Sequence, residues 1–134
     1  MDQQLDQQLI AQSNGHVSTK PEARVLLELC NEMVRIYKEM FGRGPTRARA
    51  DWAGPDAVLC TLEDTLTRAE RKMVEVGDHQ RLQQTRMFFQ HVCKDDFRES
   101  VERITGREVR AFVSGIDTVT DVASEVFYLQ RRAD

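Results

Sequence analysis

The chain lacks any apolar run near the roughly 20 residues needed to cross a bilayer. It also lacks an excess of positive charge: its 134 residues carry 19 Lys and Arg against 22 Asp and Glu, a net charge of −3. That balance excludes a domain dominated by polyanion binding and leaves room only for a local basic patch. The opening residues Met1-Asp2-Gln3-Gln4 have neither the basic nor the apolar stretch of a signal peptide, so no export is expected. Cysteine is sparse and odd in number. Cys30, Cys60 and Cys93 are widely spaced, as buried free thiols in a reducing cytoplasm are. His16, His79 and His91 are equally scattered, and without a Cys-x-x-Cys or His-x-x-x-His spacing neither a metal nor another cofactor is expected. The catalytic fingerprints are missing too: there is no Gly-x-Ser-x-Gly elbow, Walker loop or Rossmann glycine pattern. Adjacent Asp95 and Asp96 point different ways on a helix, and Ser114, Asp117 and Asp121 have no histidine or metal to activate them. The expectation is a non-enzymatic protein.

What is present is the composition of a soluble globular domain, 40% hydrophobic and 31% charged. Residues 1–18 read as a flexible Gln-rich extension, in which Asp2-Gln3-Gln4-Leu5 recurs as Asp6-Gln7-Gln8-Leu9. Its apolar area is too small to offset the entropy of ordering. The domain, 19–134, opens at a capping box, Thr19-Lys20-Pro21-Glu22. Leu26, Leu29, Cys30, Met33, Ile36, Tyr37 and Met40 then follow at helical steps, and Gly42 suits the left-handed end of that helix. Arg47 to Trp52 alternates large polar and apolar residues as a half-buried strand does. Gly54-Pro55-Asp56 turns the chain, and Ala57 to Leu62 returns it as the second strand of a hairpin.

Thr67-Arg68-Ala69-Glu70 is a second capping box, opening a short helix to Val76 that Gly77 stops. Asp78 is positioned to cap a third, long helix reaching Thr105, with Leu82, Phe89, Cys93, Phe97, Val101 and Ile104 inward. Val109–Ser114 and Glu125–Leu129 read as two strands joined by a long polar connection. The predicted fold is α+β: an antiparallel sheet of two β-hairpins with helices on one face, in the order α-β-β-α-α-β-β.

Two surfaces stand out. Arg43, Gly44, Thr46, Arg47 and Arg49 lie in and after a glycine-rich loop whose backbone N–H groups can cradle an anion. Arg47 and Arg49 project from one strand face, able to grip a phosphate, an acidic peptide or a lipid head group. The plainer reading is of exposed arginines that keep an edge strand from aggregating. Met87, Phe88 and Val92 lie off the main stripe of the long helix. They mark either deeper burial or a subunit contact, a C2 homodimer being the commonest assembly.

The run Met33-Val34-Arg35-Ile36-Tyr37-Lys38-Glu39-Met40-Phe41-Gly42-Arg43-Gly44-Pro45-Thr46 is the most distinctive in the chain. With Leu66–Glu70, Phe97–Arg107, Val109–Ser114 and Glu125–Leu129 in that order, the chain resembles a small bacterial family, the Na+-translocating membrane potential-generating system MpsC family. The resemblance covers about Ala23 to Leu129; Arg47–Asp56 and Glu63–Thr65 depart from its pattern. It implies a cytoplasmic accessory or interaction subunit beside membrane-bound cation-translocating proteins, held peripherally at the inner face of the plasma membrane through a partner, and it carries over no catalytic residues. The alternative is a regulatory domain that binds a phosphorylated small molecule or other anion at the Arg43–Arg49 loop. Nucleic-acid binding by that loop is the weaker reading, because no lysine cluster or exposed aromatic series accompanies the arginines.

Overall fold

The computed structural model describes residues 21–131; the extension 1–18 and the Thr19 half of the first capping box lie outside the described residues. Helix α1 (Pro21–Phe41) is followed by strands β1 (Arg47–Trp52) and β2 (Ala57–Glu63). Helices α2 (Arg68–Glu75), α3 (His79–Val92) and α4 (Lys94–Thr105) come next, then strands β3 (Val109–Asp117) and β4 (Val122–Leu129). The four strands form one antiparallel sheet in the order β1-β2-β4-β3, so each hairpin supplies one central and one edge strand. The fold is α+β, as expected, with one more helix than the expected order.

Strand alternation sets which side of the sheet is buried. Ala48 and Ala50 of β1, Val58, Cys60 and Leu62 of β2, and Ala123, Phe127 and Leu129 of β4 share the buried face. Leu29, Met33, Ile36 and Tyr37 of α1 and Phe97 and Val101 of α4 join them in one core. A bulge between Val109 and Ala111 shifts the phase of β3. It lets Val109 enter the core while Phe112 stacks on Phe127 at 4.7 Å, and it turns Val113 outward. Cys30, Cys60 and Cys93 form no disulfide among the described residues, and burial pushes the Cys60 thiol well up.

Three local expectations are corrected. The long third helix is two: Cys93 leaves helical dihedrals (φ −93°, ψ 11°) between α3 and α4. No proline or glycine marks the break, but polar residues fit it, since His91 ends α3 while Asp95 and Asp96 open α4, each complementing a helix dipole. Asp78 makes no side-chain cap; its carboxylate lies 3.4 Å from Arg81 instead. The long polar connection after Ser114 is mostly strand, and the turn spans only 118–121. There Asp117 accepts the Val119 and Thr120 N–H groups, both at 3.0 Å.

That turn is tied to the loop after β2. Asp121, at φ 59°, accepts from the Thr65 N–H (2.9 Å), the Thr65 hydroxyl (3.0 Å) and the Leu66 N–H (3.1 Å). Two of those donors are backbone groups with no strand or helix to satisfy them, so the carboxylate substitutes for secondary structure. Asp121→Ala is expected to lower the unfolding free energy by roughly 2–3 kcal/mol. Urea titration should show a lower midpoint with unchanged slope; an unchanged midpoint would refute this role.

Candidate functional site

Helix α3 is built inside out. Leu82, Arg86 and Gln90 recur at every fourth position, one face of a helix, and are at most 1% exposed. Met87, Phe88, Phe89 and Val92 are 36%, 61%, 41% and 58% exposed. Phe89, expected in the inward stripe, is displaced because two polar side chains occupy the inward positions. Its ring instead meets Phe41 edge-on at 6.2 Å and Phe88 at 5.5 Å.

Polar bonds hold the inward residues. Arg86 donates from Nε to Glu70 Oε2 (2.8 Å) and from Nη2 to Glu70 Oε1 (2.5 Å) and the Thr65 carbonyl (2.9 Å). Its guanidinium lies 3.5 Å over the Phe41 ring. Glu70 is also the third residue of the capping box of α2, where its carboxylate accepts the Thr67 N–H while the Thr67 hydroxyl accepts the Glu70 N–H. Burial pushes the Glu70 carboxyl up, but the bonds from Arg86 and Thr67 outweigh it and the pKa is lowered.

One turn further along, Gln90 Nε2 donates to Tyr37 Oη and to Glu125 Oε1, both at 2.9 Å. The Tyr37 hydroxyl donates to the same carboxylate oxygen at 2.6 Å. Glu125 is wholly buried on the inner face of β4, with Cys60 and Ser114 beside it on the neighbouring strands. Burial raises its pKa to about 7, against the lowering effect of Ser114, Tyr37 and Gln90. Burial and the nearby carboxylate push the Tyr37 phenol well up in turn. Gln90 Oε1 is buried and has no hydrogen-bond partner among the described residues, while Ser114 stands opposite Glu125 across the paired strands. The cluster can take up a proton near neutral pH at the Glu125 carboxyl.

A surface cleft of about 480 Å3 opens beside this cluster between α3, α4 and β3. Gln90 and Ser114 line it, with Met87 and Phe112 as its apolar wall and Val113 and the basic residues His91, Lys94 and Arg98 around it. Among the described residues no three His, Cys, Asp or Glu side chains gather as a metal site would require.

The glycine-rich loop is divided. Gly44 runs against Lys38 and Val34 of α1, so closely that a β-carbon there would sit 2.8 Å from Lys38 Cγ. Arg43 binds Asp64 Oδ2 at 2.9 Å and also the Leu66 carbonyl; Thr46 donates to that same Oδ2 at 2.8 Å, and Arg71 pairs with the other oxygen. Asp64 thus gathers Arg43, Thr46 and Arg71 into one knot. Arg47 and Arg49 stand apart on the outer face of the edge strand β1, both exposed, Arg49 at 3.4 Å from Asp51.

Sequence reasoning missed Arg86, Gln90 and Glu125. The available signal was phase: Arg86 and Gln90 follow Leu82 at four-residue steps, and Glu125 alternates with Ala123, Phe127 and Leu129. The raised folded-state pKa of Glu125 gives the sign of its pH effect. The folded protein holds a proton that an unfolded carboxyl, with its ordinary value of 4.5, has already released. Stability is therefore full below about pH 4.5 and is lost as pH rises through about 7, by on the order of 3 kcal/mol. Glu125→Gln keeps the acceptor for Tyr37 and Gln90 and removes the charge. Its stability gain over the wild type should be near zero at pH 5 and largest at pH 8 in chemical unfolding, whereas a pH-independent difference would refute an ionising buried carboxyl.

Residues 21–131 match the family model described as Na+-translocating membrane potential-generating system (MpsC). No curated protein and no solved structure shows a significant match. The match spans every described helix and strand, the α3 clamp and the cleft, and with it the chain belongs to the MpsC family.

Proposed function

We propose that the chain is a non-enzymatic interaction subunit that docks on a membrane-bound cation-translocating complex through Met87, Phe88 and Val92 of α3. The outward apolar face of α3 carries this reading. An isolated exposed leucine is ordinary, but two adjacent exposed phenylalanines with a valine and a methionine on one helix form a patch of the kind that marks a contact surface. Buried polar clamps hold that face outward, and turning it inward would strand Arg86 and Gln90 without partners.

The family description supports a membrane partner that moves Na+. No helix among the described residues is long and apolar enough to cross a membrane, so the proposed contact is lateral. On this reading the protein works in the cytoplasm against the inner face of the plasma membrane, the same α3 face also serving a C2 homodimer. Arg47 and Arg49 lie on the outer face of β1, at the opposite edge of the sheet from β3, and take no part in this contact.

The test is purification of the tagged protein from its own cells in mild detergent with nuclease, with mass spectrometry of what accompanies it. Multi-pass membrane subunits are expected with the wild type. Phe88→Glu, at an exposed position worth about ±0.5 kcal/mol of stability, should lose them, or the dimer, at least tenfold. A folded Phe88→Glu protein that keeps both its dimer and its membrane partners would refute this surface, and a wild type recovered alone would refute the membrane partner.

A further inference from the structure

The cleft beside α3 holds unspent hydrogen-bonding capacity where burial makes that costly. Gln90 is 1% exposed, and its amide orientation is fixed by its partners: Nε2 donates to Tyr37 Oη and to Glu125 Oε1, both of which accept there. Oε1 is therefore the acceptor, and it has no partner. Ser114, on the neighbouring strand and lining the same cleft, stands opposite Glu125 and lowers its pKa. The large majority of buried side-chain polar atoms find a partner, so an orphan acceptor at the base of a cleft points to something that enters it.

The surroundings narrow what enters. The wall formed by Met87 and Phe112 accepts an apolar body, and the volume of about 480 Å3 lies within the range of small-molecule sites. Lys94 and His91 are exposed beside it and form no ion pair among the described residues, while Arg98 is anchored by Nη2 on the Val109 carbonyl at 2.8 Å. The opening is cationic, and an unpartnered acceptor lies directly beneath the floor.

We propose that this cleft binds a small organic anion that also carries a hydrogen-bond donor: its O–H or N–H reaches Gln90 Oε1, its apolar body lies along Met87 and Phe112, and its carboxylate or phosphate meets Lys94 and His91. The site is separate from the Arg43–Arg49 loop. It shares Met87 with the proposed docking face, so a bound ligand alters the surface that α3 offers, but its test does not depend on any partner.

The probe is 4-hydroxybenzoate, which has a phenolic donor, a ring and a carboxylate in line, titrated into the ¹⁵N-labelled full chain at pH 6, where the Glu125 carboxyl holds its proton. Benzoate lacks the donor and 4-hydroxybenzamide lacks the charge. With about ten non-hydrogen atoms the probe should bind with a dissociation constant of about 1 mM. Its shifts should be confined to the Gln90 side-chain amide and the backbone around Val113 and Ser114. Benzoate and 4-hydroxybenzamide should each bind several-fold more weakly. Lys94→Glu, an exposed change that leaves the folded spectrum intact, should weaken 4-hydroxybenzoate by roughly three- to tenfold. Equal binding of 4-hydroxybenzoate and benzoate overturns the acceptor floor, and indifference to Lys94→Glu overturns the cationic opening. Shifts scattered elsewhere, or none up to about ten times the expected constant, overturn the site and leave a hydrated cleft only.

Discussion

The guanidinium of Arg86, closed off from solvent beneath α3, is the interaction on which the arrangement of the helical segment depends. A buried charge is tolerated only when it is paired and its donors are used, and removing one partner typically costs about 3–5 kcal/mol. Arg86 meets that condition with both oxygens of Glu70 and the Thr65 carbonyl. Glu70 can serve because it is already locked by the capping box of α2, and Thr65 because Asp121 holds its N–H and hydroxyl. A continuous polar chain thus runs from the β3–β4 turn through the loop after β2 and the first turn of α2 to the underside of α3. Helices α2 and α3 are set by these bonds to the ends of the sheet together with the apolar contacts of Leu82, Met73 and Val74 with the core.

An outward apolar face on α3 follows from that arrangement. With Arg86 and Gln90 inward, the aromatic residues at 88 and 89 have nowhere to go but out, though Phe89 recovers some contact with Phe41. The second clamp, Gln90 with Tyr37 and Glu125, adds sensitivity to pH, because the buried carboxyl ionises near neutrality. Stability is given up at this cluster relative to an apolar one, a common mark of a site retained for use rather than for folding. The proposed docking face and the cleft both lie along α3, and the proton-holding carboxyl of β4 sits beneath it.

Much of the fold was legible because its signals are local. Capping chemistry at Thr67 and Glu70, left-handed glycines at 42, 77 and 106, and alternation in Arg47–Trp52 and Ala57–Leu62 each act within a few residues. Both hairpins, the first two helices and the overall class follow from them. The candidate site was not legible for the complementary reason. Reading a stripe by hydrophobicity assigns Phe89 inward and Arg86 outward, and only pairing across 16 residues to Glu70, or 35 to Glu125, reverses this. The bulge at Val109–Ala111 likewise moves Val113 to the outer face against a strict two-residue period. The cluster of Asp64 with Arg43, Thr46 and Arg71 joins segments 18 and 21 residues apart, so Arg43 read as an open anion ligand while its partner lay beyond the loop.

The central point is that polar clamps, beyond the apolar anchor of Leu82, fix α3 to the rest of the molecule. Native-state hydrogen exchange on Arg86→Met tests it directly, since methionine keeps the volume and the contact with Phe41 but none of the bonds to Glu70 and Thr65. The account predicts that the amides of α3 lose protection by at least about a hundredfold (roughly 3 kcal/mol), while those of α1 and the four strands change far less. Undiminished protection across α3, or a uniform loss throughout the protein, would contradict it.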